Sequence, residues 1–202
     1  HPVVPPWSKF KLSFMLPLVG LITDYLNPQW GIAAPTMAAN LINSLVRLTH
    51  HECDNPVCKQ VSFTYGSGCP ALWLHENLNH ETHYWLNQEF AAVPLCFFKQ
   101  ITQCIKWGNL VAIEGFPALP KDFARARPKT TARFAFIAGE DNRCFLAESQ
   151  KRSYRYFSSI TADFHSLHIF PKYAHLDVFM GKNAAKDTFP IIIDELNKGT
   201  FH

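Results

Sequence analysis

Two short apolar runs near the carboxyl end constrain this chain more than any other feature. "ARFAFIAG" is ended by Gly139 and "SLHIF" is closed by Phe170. Between them "AESQKRSYRYF" reads as a helix, and after them "AAKDTFPIIIDELNK" reads as another. Strand, helix, strand, helix at this spacing is a βαβα unit, which requires two parallel strands joined by a right-handed crossover. Parallel sheets need both faces covered, and two parallel strands do not make a stable sheet alone. The fold class is therefore α/β, with the remaining strands of the sheet expected from outside this segment.

The rest of the chain has a different grammar. Residues 1–118 read as mostly helical and residues 119–202 as the βαβα part, with the turn-rich linker "GFPALPKDFARARPKT" between them. "PTMAANLINSLVRLTHH" opens with Pro35 and carries Met37, Leu41, Leu45 and Leu48 as one helical stripe. "ENLNHETHYWLNQEF" is a second amphipathic candidate. "PLCFFKQITQCIKWG" starts at Pro94, puts Leu95, Phe98, Ile101 and Ile105 on one face, and stops at Gly108. The closing helix is expected to end with Lys198 and Gly199, as a natural terminus would.

Composition excludes several classes. With 48% apolar and 17% charged residues in 202, a packed core is expected rather than disorder. A net charge of +3, with the Lys and Arg scattered, leaves no nucleic-acid footprint. Six cysteines in a chain of this length do not make a disulfide framework and read as mostly reduced thiols. Leu12 to Ile22 is about half the ~20 residues a membrane span needs, and Pro17 interrupts it, so no transmembrane segment is expected. "HPVVPPWSKF" has neither an initiator Met nor a signal-peptide pattern. It reads as a chain that begins mid-protein, with a cytoplasmic setting favoured.

One histidine stands out. In "FPKYAHLDVFMGKNA", His175 sits in a short polar loop just past the "SLHIF" strand and before a helix start, where a base for proton transfer is placed in many α/β enzymes. No G-x-S-x-G accompanies it. The nearest approach, "YGSGCP" around Ser67, lacks that spacing and reads as a polar loop. Asp177 is too close in sequence to serve as the orienting acid, which comes from a different loop.

These residues carry a resemblance. "FAFIAGEDNRCF" and "HIFPKYAHLDVFMGKNA" resemble the acid loop and the histidine loop at the end of an α/β-hydrolase, with "YAHLD" the most specific five residues. "CDNPVCKQVSFTYG", "NHETHYWLNQEF" and "GEDNRCFLAES" are similar to the hydrolase-type region of bacterial GMC (glucose-methanol-choline) oxidoreductase fusions, including proteins labelled cholesterol oxidase-like. The resemblance covers most of the chain. It implies a partial α/β-hydrolase fold, a helical cap followed by the last two strands. It further implies a nucleophilic serine in the upstream part of the same protein, since the family's order is nucleophile, acid, histidine.

The acid position departs from the family. The usual G-x-x-D, counted from Gly139, lands on Asn142 rather than Asp141. An Asn can accept a hydrogen bond from an imidazole but carries no charge to stabilise the imidazolium. Three outcomes stand open: a one-residue shift that lets Asp141 serve, an acid from an adjacent loop such as Asp163, or an impaired triad.

Two further runs hold metal-ligating residues, "HHECDNPVC" with His50, His51, Cys53 and Cys58, and "HENLNHETH" with His75, His80 and His83. Cys53 and Cys58 fall at the edge of zinc spacing, and "HETH" misses H-E-x-x-H, so neither run is read as a metal site. No cofactor is expected. The expected function is the carboxyl-terminal portion of an esterase- or lipase-like hydrolase. His175 would be the base, Asp141 the acid (Asn142 at the usual position), and a small hydrophobic ester or sterol-like molecule the substrate. The Leu12–Ile22 segment and "LCFF" would shape its pocket, and the chain alone would be inactive and prone to self-association. The alternative is a non-catalytic cap or interaction region of a degenerate hydrolase attached to a sterol-type oxidoreductase.

Overall fold

A computed structural model describes residues 1–68, 71–112, 116–125 and 127–198. The stop at Gly199 and parts of the "YGSGCP" run and of the linker lie outside the described residues.

The chain enters as α1 (Pro6–Phe10), a π-helical stretch (Lys11–Met15) and α2 (Leu16–Val19), continuous with one another. Pro17 explains the wide turn. It has no N–H for the Ser13 carbonyl and its ring crowds the preceding turn, so the backbone opens to an i→i+5 pattern, Leu16 N–H to the Lys11 carbonyl. Leu16 is buried, while Phe14, Leu18 and Leu21 face outward. Among the described residues no helix is long and apolar enough to cross a membrane.

β1 (Tyr25–Leu26) pairs antiparallel with β2 (Val93–Pro94) and closes the stretch of chain between them. Between them run α3 (Met37–Thr49), α4 (Pro56–Tyr65) and α5 (His80–Glu89), and α6 (Leu95–Trp107) follows β2. Each start has a reason in the sequence. The Thr36 hydroxyl caps Ala39 N–H, and the Asn55 amide oxygen accepts from Val57 and Cys58 N–H. α6 stops at Gly108, whose φ of 72° is the left-handed cap conformation that glycine adopts without penalty.

α3 corrects the sequence reading. The face packed against Leu16, Trp30, Leu95 and Phe98 is Ala39, Ile42 and Val46. Of the expected stripe, Met37, Leu41 and Leu48 point away, Met37 91% and Leu48 75% exposed, while Leu45 lies at the edge of the packed face. Both faces are apolar, so periodicity alone did not determine which one the rest of the chain would cover.

The carboxyl part is the βαβα unit expected, and the chain is of mixed α/β class. β3 (Ala135–Gly139) and β4 (Ser166–Phe170) pair in parallel, from Ala135 opposite Ser166 to Gly139 opposite Phe170, with α7 (Glu148–Ile160) as the crossover. After β4 come α8 (Asp177–Met180), α9 (Ala184–Asp187) and α10 (Phe189–Lys198). The closing helix, expected as one, is interrupted at Thr188 just before Pro190. The buried Thr188 hydroxyl there donates to the Val178 and Ala184 carbonyls.

Strand alternation divides the two faces. Phe134 and Phe136 stack on Phe157 of α7 at 4.5 and 5.6 Å. Ile137 and Ile191 of α10 each pack against Phe170, Tyr173 and Val178. Glu195 of α10 gathers Arg133, Ser166 and His168. Both faces of the small sheet are thus covered.

The helical part and the βαβα part are not separate bodies. Residues 71–78 thread between the loops that follow β3 and β4. The Leu72 carbonyl accepts from both His175 and Leu176 N–H, and the Ala71 carbonyl from Arg143 N–H. Ala71, Leu72, Trp73 and Cys144 share one core with Val57, Val61 and Leu86.

Candidate functional site

The two loops at the carboxyl ends of β3 and β4 meet, and Gly139 is the reason they can. A Cβ on Gly139 would collide with the Tyr173 and Ala174 carbonyl oxygens, so only glycine lets the β4 loop lie against β3. Asp141 N–H then donates to the Tyr173 carbonyl at 2.9 Å and fixes the register of the loops.

In this frame His175 Nδ1 lies 2.9 Å from the Asn142 side-chain nitrogen. Asn142 is buried, and its amide oxygen is already taken at 3.0 Å by each of the Cys144 and Phe145 N–H groups. Rotating the amide would aim its NH₂ at those two donors and strand both, at roughly 1–3 kcal/mol each. The amide is therefore held with its NH₂ toward His175. Nδ1 must then accept, which places the imidazole proton on Nε2. Burial lowers the His175 pKa, a drop that Asp177 only partly opposes, so the ring is neutral near pH 7. A triad base needs the opposite arrangement, with Nδ1–H given to a carboxylate and Nε2 free to accept.

The acid candidates are placed as follows. Asp141 is exposed on the β3 loop, and the residue that meets the imidazole is Asn142. Asp163 is exposed in the turn before β4, at the opposite end of that strand from His175. Five strand residues, roughly 13–17 Å of chain, separate the two. Asp177 is fully buried and structural. It accepts from Leu74 N–H, the Asn77 amide and Ala174 N–H, tying the histidine loop to the 71–78 segment. The Ser67 hydroxyl is buried and accepts from Ser8 at 3.1 Å, and Ser67 borders neither cavity that His175 lines.

His175 stands at the wall between two cavities, of about 430 and about 380 Å³. The larger is walled by Leu12, Leu16 and Val19 from the first helix and by Phe97 and Phe98 from "LCFF". Its polar side chains are few: Ser8, Lys11, Thr64, Tyr65 and His175. Lys11 donates to the Phe63 and Gly66 carbonyls, both at 2.5 Å, where the last turn of α4 has unpaired acceptors and the negative dipole end. Among the described residues His175 Nε2 has no hydrogen-bond partner in the protein, so its N–H is available to whatever occupies the cavity.

The histidine and cysteine runs do not assemble within themselves. His50 Nδ1 bonds the Thr49 hydroxyl, His51 Nε2 bonds the Leu48 carbonyl, and His80 is exposed. The fold instead takes one pair from each run and sets Cys53 and Cys58 beside His75 and His83. The Cys58 hydrogen bond, and less strongly His75, hold the Cys53 thiol down to about 4 against the effect of burial, while the same pairing and burial push Cys58 up. Sequence reasoning treated the runs separately because nothing in local spacing shows that α4 and α5 share a core.

No family model, curated protein or solved structure matches this chain.

Proposed function

We propose that this chain is the carboxyl-terminal part, cap plus last two strands, of an α/β-hydrolase-like unit. Its His175 site binds a small hydrophobic ester or sterol-like molecule without hydrolysing it. The observation that carries this reading is the Asn142 amide donating to His175 Nδ1. The imidazole is left neutral with a proton on Nε2, a hydrogen-bond donor for a ligand carbonyl or hydroxyl and not a base for a serine. The apolar cavity beside it falls in the size range of small-molecule sites, mostly greasy with a few convergent polar groups. The resemblance to the hydrolase-type region of GMC oxidoreductase fusions supports a role in presenting or holding such a molecule for a redox partner in the same protein.

A second reading keeps hydrolysis, with the nucleophile supplied from outside these residues. It is favoured by one observation, that Asn142 and His175, the positions the resemblance would assign to acid and base, lie 2.9 Å apart on the wall of the smaller cavity.

Titration of the 202-residue chain with a fluorescent sterol and with a medium-chain ester separates the two. The expected result is saturable binding of at least one of them, weakened about tenfold in His175→Phe through loss of one hydrogen bond of about 1.4 kcal/mol, with the ester recovered intact. Ester turnover by a longer form of the protein with Asn142 unaltered, abolished by His175→Ala, would replace the binding reading with the hydrolytic one.

A further inference from the structure

We propose that Cys53, Cys58, His75 and His83 form a structural zinc site that staples the helical part of the chain together. Their four ligand atoms all lie within 4.8 Å of one another, with Cys58 Sγ 3.3 Å from His75 Nε2. Zinc bonds of about 2.3 Å to sulfur and 2.0–2.1 Å to nitrogen put the ligand atoms of a tetrahedron roughly 3.3–3.8 Å apart. The four side chains are within about 1 Å of that arrangement. Two thiolates and two imidazoles in a closed tetrahedron select zinc over the harder divalent ions.

An independent observation points to a ligand there. His83 Nε2 is buried with no hydrogen-bond partner.

The frame around the site is already rigid. The Asn55 amide oxygen caps α4 at Val57 and Cys58, and its NH₂ donates to the His83 carbonyl at 2.6 Å. One side chain thus locks the helix start bearing Cys58 to the helix bearing His83. The rings of His75 and His83 meet edge to face at 4.7 Å. Ligands come from the loop after α3, the first turn of α4, the 3₁₀ turn at His75–Asn77 and α5. An ion there would join all four behind the core that includes Val57, Trp73 and Leu86. The site lies apart from the His175 cavity, whose walls include none of the four residues.

The test uses the 202-residue chain purified under reducing conditions without chelator. Elemental analysis is expected to find one zinc per chain. Cobalt exchanged for zinc should give the visible bands of a tetrahedral ion and a near-ultraviolet thiolate charge-transfer band. Removing zinc with a strong chelator should lower the melting temperature, and adding it back should restore it. Cys53→Ser and His83→Gln should each lose the stoichiometric zinc and the chelator-sensitive part of the melt. Absence of zinc together with a cobalt spectrum lacking thiolate charge transfer would overturn the proposal. So would variants that hold zinc as tightly as the parent, or a Cys53–Cys58 disulfide that persists in reductant and zinc. Should either variant fail to fold, the cobalt spectrum and the chelator-dependent melt of the unaltered chain decide the matter alone.

Discussion

Asn142 and His175 face each other across the two loops with the amide as donor and the ring nitrogen as acceptor, 2.9 Å apart. That polarity is not a property of either residue alone. It follows from the Cys144 and Phe145 N–H groups, which occupy the amide oxygen and leave only the NH₂ to point at the ring.

Asn142→Asp should reverse it. A carboxylate can accept from the same two N–H groups with one oxygen and from His175 Nδ1–H with the other, moving the neutral ring's proton from Nε2 to Nδ1. The nearby negative charge should also raise the His175 pKa above its burial-lowered value in the unaltered chain. Imidazole ¹⁵N shifts across a pH titration report both effects. An Nδ1-protonated ring in the unaltered protein would remove the basis of the binding reading.

Asp177 is expected to be worth more to stability than to chemistry. Its fully buried carboxylate holds three donors, two of them backbone N–H groups that have no other partner in reach. Asp177→Ala should cost about 3 kcal/mol in urea unfolding, given about 1.5–3 kcal/mol for a hydrogen bond to a charged group. A loss under 1 kcal/mol would show that the histidine loop is held by packing alone.

Glu195 should govern the acid limb of stability. Burial alone would raise its pKa, but hydrogen bonds from Arg133, Ser166, His168 and Lys198 outweigh burial and hold the carboxyl well below the usual carboxylate range. A carboxyl depressed in the folded state adds stability that is complete above its unfolded pKa of about 4.3 and is lost as pH falls toward the folded value. Unfolding free energy should therefore decline below about pH 4.3, and Glu195→Gln should flatten that decline while lowering stability at pH 7. An unchanged acid limb in the variant would place the acid sensitivity elsewhere.

α3 offers a test of which face is core. Ile42→Ala should cost about 2–5 kcal/mol, as truncation of a packed branched side chain does. Leu48→Gln, on a residue 75% exposed, should change stability by no more than about 0.5 kcal/mol. The reverse order in thermal or urea melts would mean that the stripe read from the sequence is the buried one after all.

Much of the framework is legible in the sequence alone. Short apolar runs ended by Gly139 and Phe170 located both strands and the helix between them, because run length and bounding residues separate strand from helix. Pro35, Pro94 and Gly108 marked helix ends through backbone geometry that those residues impose wherever they stand. His175 was placed past the end of a strand by the same local logic. Less was legible where one segment had to choose between neighbours. α3 is apolar on two sides, and the covered side depended on where Leu95, Phe98 and Trp30 arrived.

The sequence by itself determined the class, the location of both strands and of the helix between them, and the position of the histidine, all of which show in patterns within a few turns of chain. Only the tertiary structure decided which hydrogen-bonding face Asn142 shows to His175, that Asp177 is a buried tie, and that Cys53 and Cys58 meet His75 and His83. Those outcomes depend on contacts between segments up to a hundred residues apart, such as Asn77 with Asp177. No local propensity encodes such contacts; they form because burying a shared core fixes every segment's position at once.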